Sequence, residues 1–302
     1  MPLPCFVARP LPAPGLPRCE LGEGATWSVA RQALLWTDIT GRRLWSYAPA
    51  TQGVRHWPLP ERLGSFALST DPDWLLLALA QRLAWLNLES GELQALAQVQ
   101  SGEPVRCNDG RCDRAGHFVF GTLDEQRGPQ AQGRWWRYSA AGELAPLDLP
   151  PVAIANGLAW SPDGQRLYFC DSPEQRLRMA GYEARTGRLV HPQVFAPVHT
   201  GEPDGATVDA QGRYWSAHWG AGAVVAYQPD GQVAVRVELP VSQPSCVAFG
   251  GPQLRTLFIT TARQGLSAAQ LAEEPEAGAL HAVNLPWAGL PEPLYGGRVP
   301  GA

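Results

Sequence analysis

One short pattern recurs six times along this chain, and it limits the folds open to it more than any other feature. The copies occupy residues 23–28, 64–69, 108–113, 156–161, 204–209 and 245–250. Each begins with a different residue, Glu23, Gly64, Asn108, Asn156, Asp204 or Ser245. It then runs through small side chains to an apolar or half-apolar position and ends at Ser, Asp or Gly in a turn. The turns centre on Ala30, Asp71, Ala115, Asp163, Gln211 and Gly251. That spacing is roughly 40 to 48 residues, the period of a four-stranded propeller blade.

After each turn comes a stretch rich in aromatic and β-branched residues, at 34–38, 74–78, 118–122, 167–171, 214–218 and 257–261. Such stretches suit a pleated, buried sheet. Third strands are expected at 43–47, 133–138 and 223–227. With 12 Trp, 29 Pro and 32 Gly in 302 residues, the chain favours many short strands over long helices. The predicted fold is all-β, a six-bladed β-propeller forming one domain over residues 1–302.

A ring of blades has to close, and residues 5–8 form an apolar strand suited to completing the last blade, beside 279–284. One short helix is expected at 267–274, after a Ser cap. The longest insertions, 125–132 and 263–278, are placed to overhang one face of the ring.

Several function classes are excluded by composition. A formal net charge of -4, with no cluster of Lys and Arg, argues against a nucleic-acid partner. No apolar run approaches the roughly 20 residues that span a bilayer, so no membrane association is expected. Prolines at 2, 4, 10, 12, 14 and 17 interrupt any apolar signal helix. The six cysteines are scattered without a Cys-x-x-Cys pair, which points to buried thiols in a cytoplasmic protein. Nucleophile-elbow, His-Glu-x-x-His and phosphate-loop motifs are absent.

In a propeller the innermost strand of each blade lines the central channel, so residues at matching offsets form a ring at one mouth. Glu23, Asn108, Asn156 and Asp204 belong to that ring. Two carboxylates and one or two amide oxygens there have the composition of a divalent-cation site open to water and substrate. Asn and Asp before Gly also serve as plain turn formers, but Glu23-Gly24 does not fit that explanation. The hard oxygen donors favour calcium, magnesium or manganese, while zinc and ferrous iron accept such sites too. Arg106 stands two residues before Asn108 and shares its side of an extended strand, where it can hold a polar substrate oxygen or sit in an ordinary salt bridge. His199 and His218 are weaker candidates for the mouth.

The segments Gly22-Glu23-Gly24-Ala25-Thr26-Trp27, Arg106-Cys107-Asn108-Asp109-Gly110-Arg111, Ala155-Asn156-Gly157-Leu158-Ala159 and Glu202-Pro203-Asp204-Gly205, with the turn Ser161-Pro162-Asp163-Gly164, resemble the signature of the gluconolactonase/regucalcin-like sugar lactonases. The resemblance covers nearly the whole chain in the right order. It implies a six-bladed propeller that binds one divalent metal and hydrolyses aldonolactones. Its metal ligands correspond to Glu23, Asn156 and Asp204, and its substrate contacts to Arg106 and Asn108. A further family contact, a Glu shortly after a Gly-Thr strand end, falls here within Asp124-Glu125-Gln126, with Gln126 at the ungapped position. Residues 240–251 and 260–267 resemble the bacterial sugar-catabolic branch that acts on arabinose- and galactose-type lactones.

The function expected from this resemblance is hydrolysis of a small-molecule sugar lactone such as arabinono-, galactono- or gluconolactone. Asp204 would act as both ligand and proton acceptor in a monomer or weak homo-oligomer. A metal-dependent esterase or organophosphate hydrolase, or a calcium-binding propeller without turnover, are the alternatives.

Overall fold

A computed structural model describes residues 3–99, 104–126 and 131–301. Six antiparallel sheets follow one another along the chain, each with four consecutive strands or three completed by a strand from the amino terminus. Their innermost strands are Gly22–Ser28, Leu63–Leu68, Val105–Cys112, Ala155–Trp160, Glu202–Val208 and Pro244–Gly250, which begin blades 1 to 6. Each innermost strand contacts the next, and that of blade 6 contacts that of blade 1, so the ring is closed. This is the predicted six-bladed propeller.

Burial grades outward within each blade. Innermost strands such as Leu63–Leu68 are buried along their whole length, whereas outer strands such as Gly53–Pro58 are largely exposed. Because side chains alternate across a strand and both faces of each inner strand are covered, neighbouring residues serve different interfaces. Leu35 packs toward blade 2, while Leu34 and Trp36 pack toward blade 6. Likewise Tyr168 and Cys170 join blade 5, and Leu167 and Phe169 join blade 3. Six inter-blade cores result, which is why the second strands read as continuous apolar runs rather than as alternating ones.

Closure differs in detail from the expected one. Arg9–Pro10, not residues 5–8, pairs with His281–Asn284 of blade 6, at the sheet edge, where proline's missing N–H is tolerated. Cys5–Val7 instead adds a parallel fifth strand to blade 5 beside Val233–Glu238. Between them, fully buried Ala8 donates its N–H to the Glu238 carbonyl at 2.9 Å. Five of the six unpaired cysteines are buried, while Cys5 is exposed.

Two segments beyond the blades matter for the channel. The insertion at 263–278 contains the helix Ala268–Glu273, opened by a Ser267/Gln270 capping box, close to the helix expected there. Of the other expected overhang, residues 127–130 lie outside the described residues. At the opposite end, the stretch 288–296 crosses beneath the ring. Ala288 and Gly289 bond to blades 5 and 6, Tyr295 bonds to blade 2 and Gly296 to blade 3. From this strap Glu292 enters the channel and pairs with Arg111 of blade 3 at 2.5 Å. Among the described residues no helix is long and apolar enough to cross a membrane.

Candidate active site

All six blades share one local irregularity, and it sits at the ring positions. Pairing between first and second strands slips between Glu23 and Thr26, Leu63 and Ser65, Cys107 and Gly110, Asn156 and Ala159, Pro203 and Ala206, and Pro244 and Cys246. A bulge of this kind bends the strand and re-aims a side chain. Gly24 and Gly157 take positive φ (64° and 73°) immediately after Glu23 and Asn156. Glycine therefore follows the ring residue because a strand bulges there, not because the chain turns.

The bulges bring Glu23, Asn108, Asn156 and Asp204 into the wall of one cavity of about 340 Å³, together with Arg106. Apolar walls come from Leu21, Ile39 and Trp219 on one side and Leu123 and Ile154 on the other. A hydrogen-bonded chain fixes the amides. Arg106 Nη1 donates to Asn108 Oδ1 at 2.9 Å, and Asn108 Nδ2 donates to Asn156 Oδ1 at 3.1 Å. Asn156 Nδ2 donates to Ser172 Oγ at 2.8 Å, and Ser172 Oγ donates to the Pro203 carbonyl at 2.7 Å. The Asn156 amide is thus oriented from both ends, with Nδ2 toward Ser172 and Oδ1 toward Asn108, and its oxygen keeps a second lone pair for the cavity.

The carboxylates carry excess negative charge. Glu23 and Asp204 approach closely enough to share a hydrogen bond, and Glu23 also accepts from the Gly24 N–H at 3.1 Å. Desolvation, then the neighbouring charge of Asp109, pushes the Glu23 carboxyl up to about 8. Burial, then Glu23 and Asp109, raises Asp204 well above the usual carboxylate range. Arg106 is the cation nearest to them, and burial pulls its pKa below the ordinary value despite the support of Glu125. Buried carboxylates in this state are neutralised either by protons or by a cation. Two carboxylates and an oriented amide oxygen match the donor set of a hard divalent ion. Among the described residues no three His, Cys, Asp or Glu side chains gather to hold a metal, so the amide is a required part of this set.

The remaining sequence candidates separate clearly. Glu125 stands at the rim, bidentate to Arg62 (2.8 Å for the Nη2 bond) and 3.4 Å from Arg106 Nε. Partial burial works against its charge, but the Arg62 hydrogen bond and the Arg106 charge prevail and hold it below the usual range. Gln126 is exposed and its backbone N–H donates to Asp124, which is itself buried below the rim. Neither lines the cavity. His199 is exposed, and His218 is buried against Tyr227 inside blade 5, so neither reaches the mouth. The structure adds lining residues that the motifs did not single out, among them Ser172, Glu202, Trp219, Gln243 and Gln264.

The SMP-30/Gluconolactonase/LRE-like region family matches residues 21–263, most of the chain and every ring residue. The chain belongs to this family. Within it, an L-arabinolactonase of Azospirillum brasilense is 43% identical, covering 93% of each chain. A 6-deoxy-6-sulfogluconolactonase of Pseudomonas putida is 38% identical, covering 98% of this chain and 99% of its own. The crystal structure of a calcium-binding protein, regucalcin, from Agrobacterium tumefaciens superposes with a TM-score of 0.91 at 30% identity, covering 98% of this chain and 99% of its own. The six-bladed architecture is therefore that of the family's solved structures.

Proposed function

We propose that the cavity is the active site of a metal-dependent lactonase that opens an aldonolactone such as arabinono-, galactono- or gluconolactone to the aldonic acid. The observation that carries this reading is the meeting of Glu23, Asn156 and Asp204 from blades 1, 4 and 5 beside Arg106. Support comes from relatives named for lactone hydrolysis, which cover almost the full chain. A divalent ion held by those three residues would polarise the ester carbonyl and lower the pKa of a water molecule. Calcium, magnesium or manganese suits the oxygen set, and zinc or ferrous iron is compatible with it.

The chain's own residues supply the rest. Arg106 is positioned to donate to a carbonyl or hydroxyl oxygen of the substrate and to offset charge developing on the oxygen of the tetrahedral intermediate. Asn108 fixes both Arg106 and Asn156, so its role is to hold the donor and the ligand in register. Asp204 is placed to take the proton of the attacking water. The new bond joins that oxygen to the carbonyl carbon, the ring C–O bond breaks, and the proton ends on the released hydroxyl. At the rim, Glu125 takes the role of the further family contact, since of Asp124, Glu125 and Gln126 it is the one that pairs with Arg106 among the described residues. A pocket of this size suits a single sugar ring. We place the enzyme in the cytoplasm, where buried unpaired thiols stay reduced.

A pH-indicator assay over a set of aldonolactones, run with and without chelator, tests the reading. Turnover should depend on added divalent ion and be lost in Asp204→Ala. An Asp204→Ala protein working at near the wild-type rate would refute the metal role. Preference for aryl esters or phosphotriesters over lactones would favour the esterase alternative, and no turnover at all would favour a calcium-binding propeller.

A further inference from the structure

The ring residues have a second tier above them. Two residues before each stands Leu21, Arg62, Arg106, Ile154, Glu202 or Gln243, and the two-residue period of a strand puts both tiers on one side. Five of these residues line the cavity, and Arg62 reaches Glu125 at its rim. With six blades in a closed ring, blade 6 lies opposite blade 3, so Gln243 occupies the wall facing Arg106.

The Gln243 amide is locked in one orientation. Its Nε2 donates to the Ala262 carbonyl at 3.2 Å and to the Gln264 carbonyl at 3.1 Å. Both partners are acceptors only, so both N–H groups are used and Oε1 is the atom left over. Among the described residues no donor meets that oxygen. The surroundings are equally fixed. Ser242 donates through its N–H (2.7 Å) and its hydroxyl (2.9 Å) to Glu274, at the end of the short helix. The Ala262 N–H donates to the Gln243 carbonyl at 3.0 Å. The insertion at 263–278 is thereby stapled beside Gln243, and it holds a preorganised acceptor in the cavity wall.

We propose that Gln243 is a specificity-determining residue, with its Oε1 accepting a hydrogen bond from a hydroxyl of the lactone on the side opposite Arg106. This rests on the lactonase reading. A ring that lacks the hydroxyl leaves the oxygen desolvated and unpaired, which is the larger part of the discrimination.

The test compares kcat/KM for a hydroxylated aldono-1,4-lactone with that for γ-butyrolactone, the same ring without hydroxyls. Gln243→Met should lower the first by about tenfold or more and leave the second within about twofold. Gln243→Lys keeps a donor toward the Ala262 and Gln264 carbonyls but has no acceptor, so it should show the same split even if Gln243→Met loosens the insertion. Equal losses on both lactones, or no loss on the hydroxylated one, would overturn the proposal. A wild-type protein inert toward both, with its divalent ion present, would instead overturn the lactonase reading beneath it.

Discussion

Replacing Glu23 by Gln should make the metal-free protein more stable while removing its response to metal. Burial and the charge of Asp109 raise the Glu23 carboxyl from 4.5 to about 8. A raised carboxyl stabilises the fold fully below its unfolded value, and that contribution is lost as pH climbs from about 4.5 to about 8. At pH 7 the folded chain must hold a proton that the unfolded chain has released. At about 1.4 kcal/mol per pH unit, this costs up to about 3 kcal/mol. The figure is an upper one because Glu23 is only half-buried and faces a cavity open to water. Gln mimics the protonated acid, with an oxygen for the Gly24 N–H and an N–H for Asp204. Unfolding entropy of roughly 2.1 cal/mol/K per residue makes 3 kcal/mol worth about 5 °C in Tm for a chain of this length. The assay is thermal unfolding in excess chelator at pH 7 and again at pH 4.5, followed by titration with a divalent ion. Glu23→Gln should melt up to about 5 °C above wild type at pH 7 and level with it at pH 4.5. Wild type should gain about 2.7 kcal/mol at an ion concentration of 100 Kd, and the variant almost nothing. A variant no more stable than wild type in chelator at pH 7 would refute the claim that these carboxylates hold uncompensated charge.

Three further outcomes follow from the same geometry. Arg106→Ala should lower kcat/KM on sugar lactones by about 10- to 100-fold, the range of a lost charge-assisted hydrogen bond, with metal affinity nearly unchanged; a parallel loss of metal affinity would contradict its placement as a substrate donor. Burial holds His218 and His281 neutral, each depressed to about 4. Stability is therefore full above the unfolded value of 6.5 and falls as pH drops toward 4, by up to about 3 kcal/mol per histidine. Urea unfolding of His218→Gln at pH 7 and pH 5 should show a shallower decline than wild type. Removing Glu292 alone strands Arg111 in the channel and should cost about 3 to 5 kcal/mol, whereas the double change Arg111→Met with Glu292→Leu should recover most of it in the same urea assay.

The blades were legible because a ring of equivalent units repeats its buried strand and its turn at one period, and strong aromatic and β-branched strands mark each copy. Glu23, Asn108, Asn156 and Asp204 were legible for the same reason, since equal offsets on equal blades meet at one axis. The bulges were not. Asn156-Gly157 reads as a turn pair, and only the slipped pairing against Cys170 and Tyr168 reveals a strand that bends instead of reversing. The placement of residues 5–10 was missed because a short apolar strand fits the edge of either neighbouring blade. The strap at 288–296 carries no periodic pattern, and its pairing with Arg111 is made by one side chain, Glu292. The proposed assignment of the rim contact to Glu125 over Gln126 rests on the positions of Arg62 and Arg106, which strand spacing alone does not supply.

The two tiers divide the labour that a lactone site requires. Lower positions lie at the start of a bulge or within it, and the two amides among them, Asn108 and Asn156, are fixed by the belt that runs from Arg106 through Ser172 to the Pro203 carbonyl. A change at Asn108 or Asn156 therefore reaches blades 3, 4 and 5 at once, so these lower positions suit the task of holding an ion. Upper positions precede the bulge and carry Leu21, Arg62, Arg106, Ile154, Glu202 and Gln243, which differ in size, charge and polarity. Gln243 is tied to the insertion at 263–278 and not to the belt. Substitution at such an upper position therefore alters which hydroxyl is met without moving the donors below.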